Sequence, residues 1–299
     1  MVRKRNPKPS THQKQIPTPA LSLLLDAPTP VRLQLRAFER VNLILVGCGG
    51  TGSHLVSGLG ALACELRERS IAVQLIFVDP DKVEQKNVGR QLFTRADIGK
   101  PKAQVLAQRV MQAFGIVVET YVAPLENCVT RIESADDNLT LIIGAVDNPA
   151  ARAYICKLVG DAHGNVWWLD TGNENHSGQI ALGNCAKAAQ LKGSVQLGMT
   201  QNLPAPNLVY PDLLETPRVK KSKGASCAEL TATGEQGLMV NRLVAAWALS
   251  LLYDFLIARE IQSFALAFNA RTGGTKPYSL DVPTLAQVTG LSETQLSGK

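Results

Sequence analysis

The chain has 299 residues, a formal net charge of +6, a hydrophobic content of 45% and an aromatic content of only 5%. This length accommodates one large domain with a substantial core, and such an aliphatic composition is typical of parallel strands covered by helices. Five basic residues lie in the first 20 positions, which hold no acidic residue: Arg3, Lys4, Arg5, Lys8 and Lys14. The remainder is nearly neutral, so the charge does not predict a nucleic-acid-binding surface on the folded domain.

The first 20 residues are polar, basic and proline-rich, which is typical of a disordered, solubilising tail. The alternative is a tail that contacts nucleic acid or an acidic partner. No apolar stretch follows the basic residues, so no secretory signal is predicted. The most apolar later stretch, residues 243–256, is interrupted by Ser250 and Asp254 and is shorter than the ~20 residues that span a bilayer. With six cysteines but no CxxC pair, we expect a reduced, cytoplasmic protein without a membrane segment.

Short apolar runs alternate with helical periodicity along the first half of the chain. The predicted strands cover residues 41–46, 73–78, 117–123, 139–145 and 166–170, and the predicted helices cover residues 53–63, 102–114 and 150–160. This rhythm predicts an α/β fold: a doubly wound, Rossmann-like, mostly parallel sheet with helices on both faces. Ligands of such folds bind at the carboxyl ends of the strands.

The second half of the chain predicts an antiparallel extension of this sheet. We expect strands at residues 178–183, 264–268 and 278–280, and a long helix at residues 236–259. The helix places Leu243, Trp247, Leu251 and Phe255 on one face. Residues 185–226 have low periodicity and are rich in proline. They predict a crossover loop, and a loop of this length inside a compact domain is typically functional.

The sequence GCGGTGS follows the first predicted strand and precedes the first helix. Gly47, Gly49 and Gly52 have GxGxxG spacing, and Gly50 and Ser53 complete the stretch. A strand, a glycine turn and a helix N-terminus direct backbone N–H groups and the helix dipole at one point. This pattern predicts a phosphate-binding loop for a nucleotide. A tight turn without a ligand is the alternative.

A polar block follows the second predicted strand, at residues 79–102. Asp79 ends that strand, in the position from which a carboxylate binds ribose hydroxyls, although a turn cap is the alternative. The block also holds an asparagine, an arginine, a glutamine and a lysine: Asn87, Arg90, Gln91 and Lys102. Cationic groups of this kind neutralise a polyphosphate during attack. Asp147 ends the fourth predicted strand at the same crevice and is suited to Mg²⁺.

With these residues in place, the sequence resembles the ThiF/MoeB family, the adenylating enzymes related to ubiquitin-activating enzymes. The resemblance rests on five elements in family order, and weaker agreement extends to roughly residue 260. The elements are the GxGGxGS loop at residues 47–53, D-x-D (Asp79, Asp81), N-x-x-R-Q (Asn87, Arg90, Gln91), G-x-x-K (Gly99, Lys102) and D-N (Asp147, Asn148).

The resemblance implies ATP-dependent adenylation. The substrate would be the C-terminal carboxylate of a small ubiquitin-like or sulfur-carrier protein, activated as an acyl-adenylate with release of pyrophosphate. It implies ribose binding by Asp79, a magnesium ligand in Asp147, and a homodimer. The implied phosphate contacts are Asn87, Arg90, Gln91 and Lys102, and the implied ATP site also includes Asp81, Asn148 and the glycine loop. The predicted organisation is a tail over residues 1–20, an adenylation domain over 21–283 and a C-terminal tail over 284–299.

A cysteine lies just before the long predicted helix, where residues 226–230 read SCAEL. Cys227 thus matches the position at which family members take the acyl group as a thioester. A thiolate near a helix start gains acidity from the dipole. The alternative is a small buried residue without a nucleophilic role.

Three features depart from the family pattern. The two CxxC pairs that bind structural zinc are absent and the four histidines are scattered, so zinc is not predicted. The family often contributes an arginine from the partner subunit; Arg36 and Arg40 are candidates, but no motif fixes either. The stretch WLDTGNENHSGQIALG is similar to ThiF-like proteins of the PRTRC cassettes on bacterial mobile elements. Those cassettes also encode a small ubiquitin-like protein and a metalloprotease-like protein.

Two other functions compete with adenylation. A nicotinamide or flavin oxidoreductase would explain the glycine loop and Asp79, but it gives no role to the NVGRQ, GKPK and VDN elements. A catalytically inactive module would bind ATP or a ubiquitin-like protein without turnover. The presence of Arg90, Lys102 and Asp147 together argues against lost chemistry. We therefore expect an active adenylating enzyme.

Overall fold

The computed structural model describes residues 30–128, 138–162, 164–215 and 239–298. The strands are β1 (Arg32–Leu33), β2 (Arg40–Val46), β3 (Ala72–Val78), β4 (Val118–Tyr121), β5 (Asn138–Gly144), β6 (Val166–Asn173), β7 (Ser177–Gly183), β8 (Met199–Thr200), β9 (Ser263–Asn269) and β10 (Thr275–Ser279). The helices are α1 (Gly50–Glu68), α2 (Lys102–Phe114), α3 (Pro149–Asp161), α4 (Pro206–Val209), α5 (Val240–Tyr253), α6 (Val282–Thr289) and α7 (Glu293–Ser297). Helix α5 continues as a π-helical turn, Asp254–Ala258.

Eight strands form one sheet in the order β10-β9-β7-β6-β5-β2-β3-β4. Strands β2 to β6 are parallel, whereas β7, β9 and β10 add antiparallel pairs at one side. This arrangement confirms the predicted α/β fold with a mostly parallel sheet and a C-terminal antiparallel extension. Strand β4 is shorter than the strand predicted at residues 117–123, because only residues 118–121 pair with β3.

Strand β2 lies at the centre of the parallel part of the sheet, between β3 and β5. Its six residues after Arg40 are all buried, as expected for a strand covered on both faces. Leu45 packs into the core cluster on the α1 face, and Ile44 packs into the separate cluster on the α3 face. The Asn42 side chain donates to the Thr140 hydroxyl of β5 at 3.3 Å, across 98 residues of sequence.

Helix α5 packs against α1 and the sheet, but on a face that differs from the predicted one. Leu251 and Phe255 are buried as expected, whereas Leu243 and Trp247 are 39% and 43% exposed. The buried face instead includes Val240, Val244, Ala248 and Leu252, one position away along the helix. In the described part of the chain, one helix, Val240–Ala258, could cross a membrane by length and composition, and 56% of it is buried inside the protein, as in a core helix.

Much of the predicted crossover loop packs against the domain. Within residues 185–215, β8 pairs with β1, and Leu203 and Ala205 are buried. Residues 216–226 lie outside the described part of the chain, as does the predicted tail over residues 1–20. The C-terminal residues 284–298 are not a tail: α6 and α7 bury Leu285 and Leu296 in the α1-face core, so the predicted boundary at residue 283 does not separate them from the domain.

Candidate nucleotide-binding site

The glycine loop joins β2 to α1 at the carboxyl end of the parallel strands. Gly47 has a φ of +90°, and a Cβ there would lie 2.5 Å from the carbonyl oxygen of Ala145. A Cβ on Gly52 would lie 1.9 Å from the carbonyl oxygen of Gly47. Glycine is therefore required at both positions, because the loop folds back on itself and against the end of β5.

Helix α1 presents its first turn at this loop. No side chain caps the helix, and its first turn holds no acidic residue. The first N–H groups of a helix have no intrahelical partner and carry the positive end of the dipole. Gly49 keeps the approach open, since the nearest atom to a Cβ placed there is Gln91 Nε2 at 3.8 Å. The predicted phosphate loop therefore has the geometry of an anion site.

Asp79 lies beside the glycine loop, directly after β3. Its Oδ2 accepts from the Cys48 backbone N–H at 2.6 Å, and its Oδ1 accepts from the Asp81 N–H at 2.7 Å. Burial raises the pKa of Asp79, and the hydrogen bond from Cys48 and the charge of Lys102 oppose that rise. Each carboxylate oxygen has a second lone pair that can accept a further hydrogen bond, so ribose binding by Asp79 stays a prediction.

Lys102 places an ammonium group in the same crevice. Its Nζ lies 2.8 Å from Asp81 Oδ2; the lysine side chain is 8% exposed and the aspartate 63% exposed. The Lys102 backbone N–H also donates to the Asp81 carbonyl at 2.9 Å. A buried ammonium requires an anionic partner. Because Asp81 is exposed, a bound phosphate can compete with it for this cation.

Gln91 and Arg90 follow in the polar block. Gln91 is buried against the glycine loop, and its Oε1 has no hydrogen-bond partner among the described residues. Such an orphan buried acceptor in a native structure calls for a partner that binds. Arg90 is half-buried, and its backbone N–H donates to the Asn87 carbonyl at 3.3 Å. Of these two predicted contact residues, Gln91 lies at the loop, where its Nε2 would be 3.8 Å from a Cβ on Gly49.

Two predicted contacts instead hold the site together from behind. The fully buried Ser53 hydroxyl donates to the Gly50 carbonyl and accepts from the Leu92 N–H, both at 3.2 Å. Asn87 is buried, and its Oδ1 accepts from the Glu84 N–H at 2.8 Å. Ser53 therefore ties the polar block to the loop, and Asn87 caps the turn that precedes Arg90. The contact of these two side chains with a nucleotide stays a prediction.

Asp147 and Asn148 follow β5, next to the glycine loop. Asn148 Oδ1 accepts from the Ala151 N–H at 2.7 Å, so this oxygen caps α3. Asp147 is exposed at the crevice. Mg²⁺ is usually held by one or two carboxylates together with substrate phosphates and waters, and Asp147 fits that donor set. The described residues hold no group of three or more acidic, histidine or cysteine side chains suited to a metal.

A buried ion pair beside the site was not found from the sequence. Arg152 Nε donates to Asp170 Oδ1 at 3.1 Å, and the side chains are 13% and 3% exposed. Arg152 also donates to the Thr171 carbonyl at 3.4 Å. Burial raises the pKa of Asp170, and Arg152 opposes the rise. The sequence shows Asp170 at a strand end and Arg152 in the preceding helix. It does not show that they pair, because their pairing depends on β5 and β6 being neighbours.

Of three further predicted residues, one is not described and two lie away from the site. Cys227 lies outside the described residues, so its thioester role stays a prediction. Arg36 donates to Asn165 Oδ1 at 3.1 Å, and Arg40 begins β2. Both arginines therefore lie at the amino ends of the strands, at the edge opposite the glycine loop of their own chain.

The chain is similar in sequence to several enzymes, over part or most of its length. A NEDD8-activating enzyme E1 catalytic subunit from Saccharomyces cerevisiae is 34% identical over 137 residues, covering 42% of this chain and 45% of that protein. The chain thus spans less than half of the NEDD8-activating subunits that it matches. A sulfur carrier protein adenylyltransferase from Thermus thermophilus is 27% identical over 242 residues, covering 78% of this chain and 76% of that protein.

Solved structures share the fold, and the family assignment rests on the sequence. The crystal structure of E. coli MccB with ATP has a TM-score of 0.54 at 18% identity and covers 80% of this chain and 64% of that one. That of PaaA has a TM-score of 0.51 at 14% identity with the same coverage. The sequence model of the ThiF family matches residues 26–273. This match covers most of the chain, which therefore belongs to the ThiF family.

Proposed function

We propose that this protein uses ATP to adenylate the C-terminal carboxylate of a small ubiquitin-like or sulfur-carrier protein. The main support is the convergence of three groups on one crevice: the uncapped start of α1, the Asp79 carboxylate and the buried Lys102 ammonium. The Thermus thermophilus relative, named a sulfur carrier protein adenylyltransferase, supports this reaction class over most of the chain. Membership of the ThiF family sets aside the oxidoreductase alternative.

The site residues divide the binding of ATP between them. Asp79 accepts from the ribose hydroxyls, and the N–H groups at the start of α1 bind phosphate oxygens. Lys102 exchanges Asp81 for a phosphate, and Arg90 adds a second cation at the same side. Asp147 would hold Mg²⁺, which would act as a Lewis acid and neutralise phosphate charge.

The chemical step joins two anions, which explains the cationic groups. A carboxylate oxygen of the carrier attacks the α-phosphorus and forms the acyl-phosphate bond. The bond from that phosphorus to the bridging oxygen breaks, and pyrophosphate leaves with the electron pair. Lys102 and Arg90 lower the repulsion between the carboxylate and the triphosphate, and the fixed nucleotide holds the α-phosphate in line for attack.

ATP–pyrophosphate exchange tests this function directly. Purified protein with ATP, Mg²⁺, labelled pyrophosphate and the cognate carrier is expected to return label to ATP. A carrier lacking its C-terminal residue is the control and should support no exchange, since the attacking carboxylate is displaced. Protein that binds ATP but gives no exchange with any co-encoded ubiquitin-like protein would support the inactive module. A neighbouring reading frame ending in Gly or Gly-Gly would name the carrier and test the PRTRC assignment.

Cys227 is proposed to take the acyl group from the adenylate as a thioester. In this step the thiolate sulfur bonds to the acyl carbon and AMP leaves. Cys227→Ala is expected to retain pyrophosphate exchange and to lose any enzyme–carrier adduct that a thiol reductant cleaves, as seen on a non-reducing gel. Cys64→Ala, which removes a half-buried cysteine of α1, is the matched control and should keep the adduct. An undiminished adduct in Cys227→Ala would show that the thioester proposal is wrong.

We further propose that the protein is a cytoplasmic homodimer. Exposed apolar side chains on α5, namely Leu243 and Trp247, support association through this helix. Sedimentation of the purified protein measures the state directly.

A further inference from the structure

Three side chains from distant parts of the sequence meet at the first turn of α1. Thr51 of α1 donates its hydroxyl to Asn241 Oδ1 of α5 at 3.2 Å. Asn173, the last residue of β6, donates its Nδ2 to Thr51 Oγ1 at 3.1 Å and also to Asn241 Oδ1. We refer to Thr51, Asn173 and Asn241 as the amide cluster. It joins the phosphate loop, the carboxyl end of β6 and the start of α5.

Asn241 occupies the space beside the phosphate loop itself. A Cβ placed on Gly50 would lie 2.8 Å from Asn241 Nδ2 and 3.1 Å from its Cγ. Gly50 is the first residue of α1, so its N–H is one of those without an intrahelical partner. The asparagine side chain thus packs directly on the backbone that supplies the anion site.

The polar character of residue 241 has no explanation in packing alone. Asn241 is buried, and its buried neighbours on α5 are apolar, including Val240, Val244 and Ala245. Burying an amide in such surroundings is unfavourable unless its hydrogen bonds are made. Here the Asn241 Oδ1 accepts hydrogen bonds from Thr51 and Asn173. These bonds explain why a polar residue lies at this position beside the phosphate loop.

From this geometry we propose that Asn241 is a positioning residue of the nucleotide site. It holds Gly50 and Thr51 in the arrangement that binds the phosphates of ATP, and it fixes the start of α5 to the phosphate loop. This inference rests on the proposed function, since it concerns the same ATP site.

An aspartate at position 241 separates positioning from general packing. It has the shape of asparagine and can accept the same two hydrogen bonds, but it adds a negative charge beside the phosphates. A charge at about 6 Å from a phosphate, at an effective dielectric constant near 20, weakens ATP binding by about a hundredfold. Adenosine, which has no phosphate, does not experience this repulsion.

The test measures the affinities of ATP, AMP and adenosine for the wild-type protein, Asn241→Asp and Asn241→Ala. Asn241→Asp is expected to weaken ATP about a hundredfold, AMP less, and adenosine by less than about twofold, with the ATP loss shrinking as salt is added. Asn241→Ala is expected to weaken ATP about tenfold through loss of the two hydrogen bonds. Asn184→Asp and Asn184→Ala are matched controls, because Asn184 is a buried, hydrogen-bonded asparagine at the opposite edge of the sheet.

The possible outcomes distinguish this inference from the proposed function. A wild-type protein that binds no ATP overturns both. A wild-type protein that binds ATP, together with an Asn241→Asp variant of unchanged ATP affinity or of equal losses for ATP and adenosine, overturns only the inference. Should both variants at 241 fail to fold, Thr51→Val removes the hydroxyl of the amide cluster while keeping the side-chain shape. It is expected to weaken ATP several-fold and leave adenosine unchanged, and equal effects on both ligands would overturn the inference.

Discussion

Asp147→Ala is expected to lower carrier-dependent pyrophosphate exchange by about three orders of magnitude. A bound metal ion contributes several kcal/mol of charge stabilisation in such a step, and each 1.36 kcal/mol corresponds to about a tenfold change in rate. Asp147 is exposed, and α3 is capped by Asn148 through the Ala151 N–H, so the variant is expected to fold normally. Exchange rates over a range of Mg²⁺ concentrations measure the loss.

The matched control for this prediction is Asp161→Ala. Asp161 is an exposed aspartate at the far end of the same helix, and its removal should leave exchange unchanged. Urea unfolding of both variants should give midpoints close to the wild-type value. Full exchange activity in Asp147→Ala would show that Asp147 is not a magnesium ligand.

Asp170→Ala is expected to lower the free energy of unfolding by about 3 kcal/mol, the largest stability effect expected from a single charge in the described residues. The variant leaves the Arg152 guanidinium, 13% exposed, without its carboxylate. An uncompensated buried charge is costly, whereas loss of an exposed pair has a small effect. Glu65→Ala is the comparison, because Glu65 and Arg69 form an ion pair with side chains 38% and 48% exposed. It should change the unfolding free energy by less than about 1 kcal/mol.

A double variant isolates the cause of the Asp170 effect. Arg152→Met removes the charge that Asp170→Ala strands, so the two changes together should recover a large part of the lost stability. Urea unfolding of the wild-type protein, both single variants and the double variant completes the cycle. If Asp170→Ala is as mild as Glu65→Ala, the buried pair does not have the role assigned to it.

Local sequence pattern predicted the fold well where each element is determined by its own residues. Helix α2 has the predicted bounds, and β2 and β3 differ from prediction by one residue at the start. The buried face of α5 was misassigned because the helix is apolar on several sides. Its orientation depends on packing against α1, where Leu249 meets Gly58. The helices α6 and α7 were missed because short segments with one buried leucine each carry little periodicity.

The candidate site was predictable to the extent that its residues occur in motifs. The glycine loop, Asp79, Gln91 and Lys102 converge as the motif order implied. The hydrogen bonds that Ser53 and Asn87 make within the protein could not be predicted, because a motif records residue identity and not the direction of a side chain. The amide cluster could not be predicted from the sequence for another reason. Thr51 and Asn241 are 190 residues apart, and only the tertiary fold makes them neighbours.

The central position of β2 has a consequence for how the protein is made. Strand β3 follows β2 closely and can pair with it early, but β5 must close a loop of about a hundred residues before it pairs. Asn241 joins the start of α1 later still. The phosphate loop thus reaches its final geometry only after the ribosome has passed residue 241. A nucleotide that binds this loop should therefore stabilise nearly complete chains and leave shorter nascent chains unaffected.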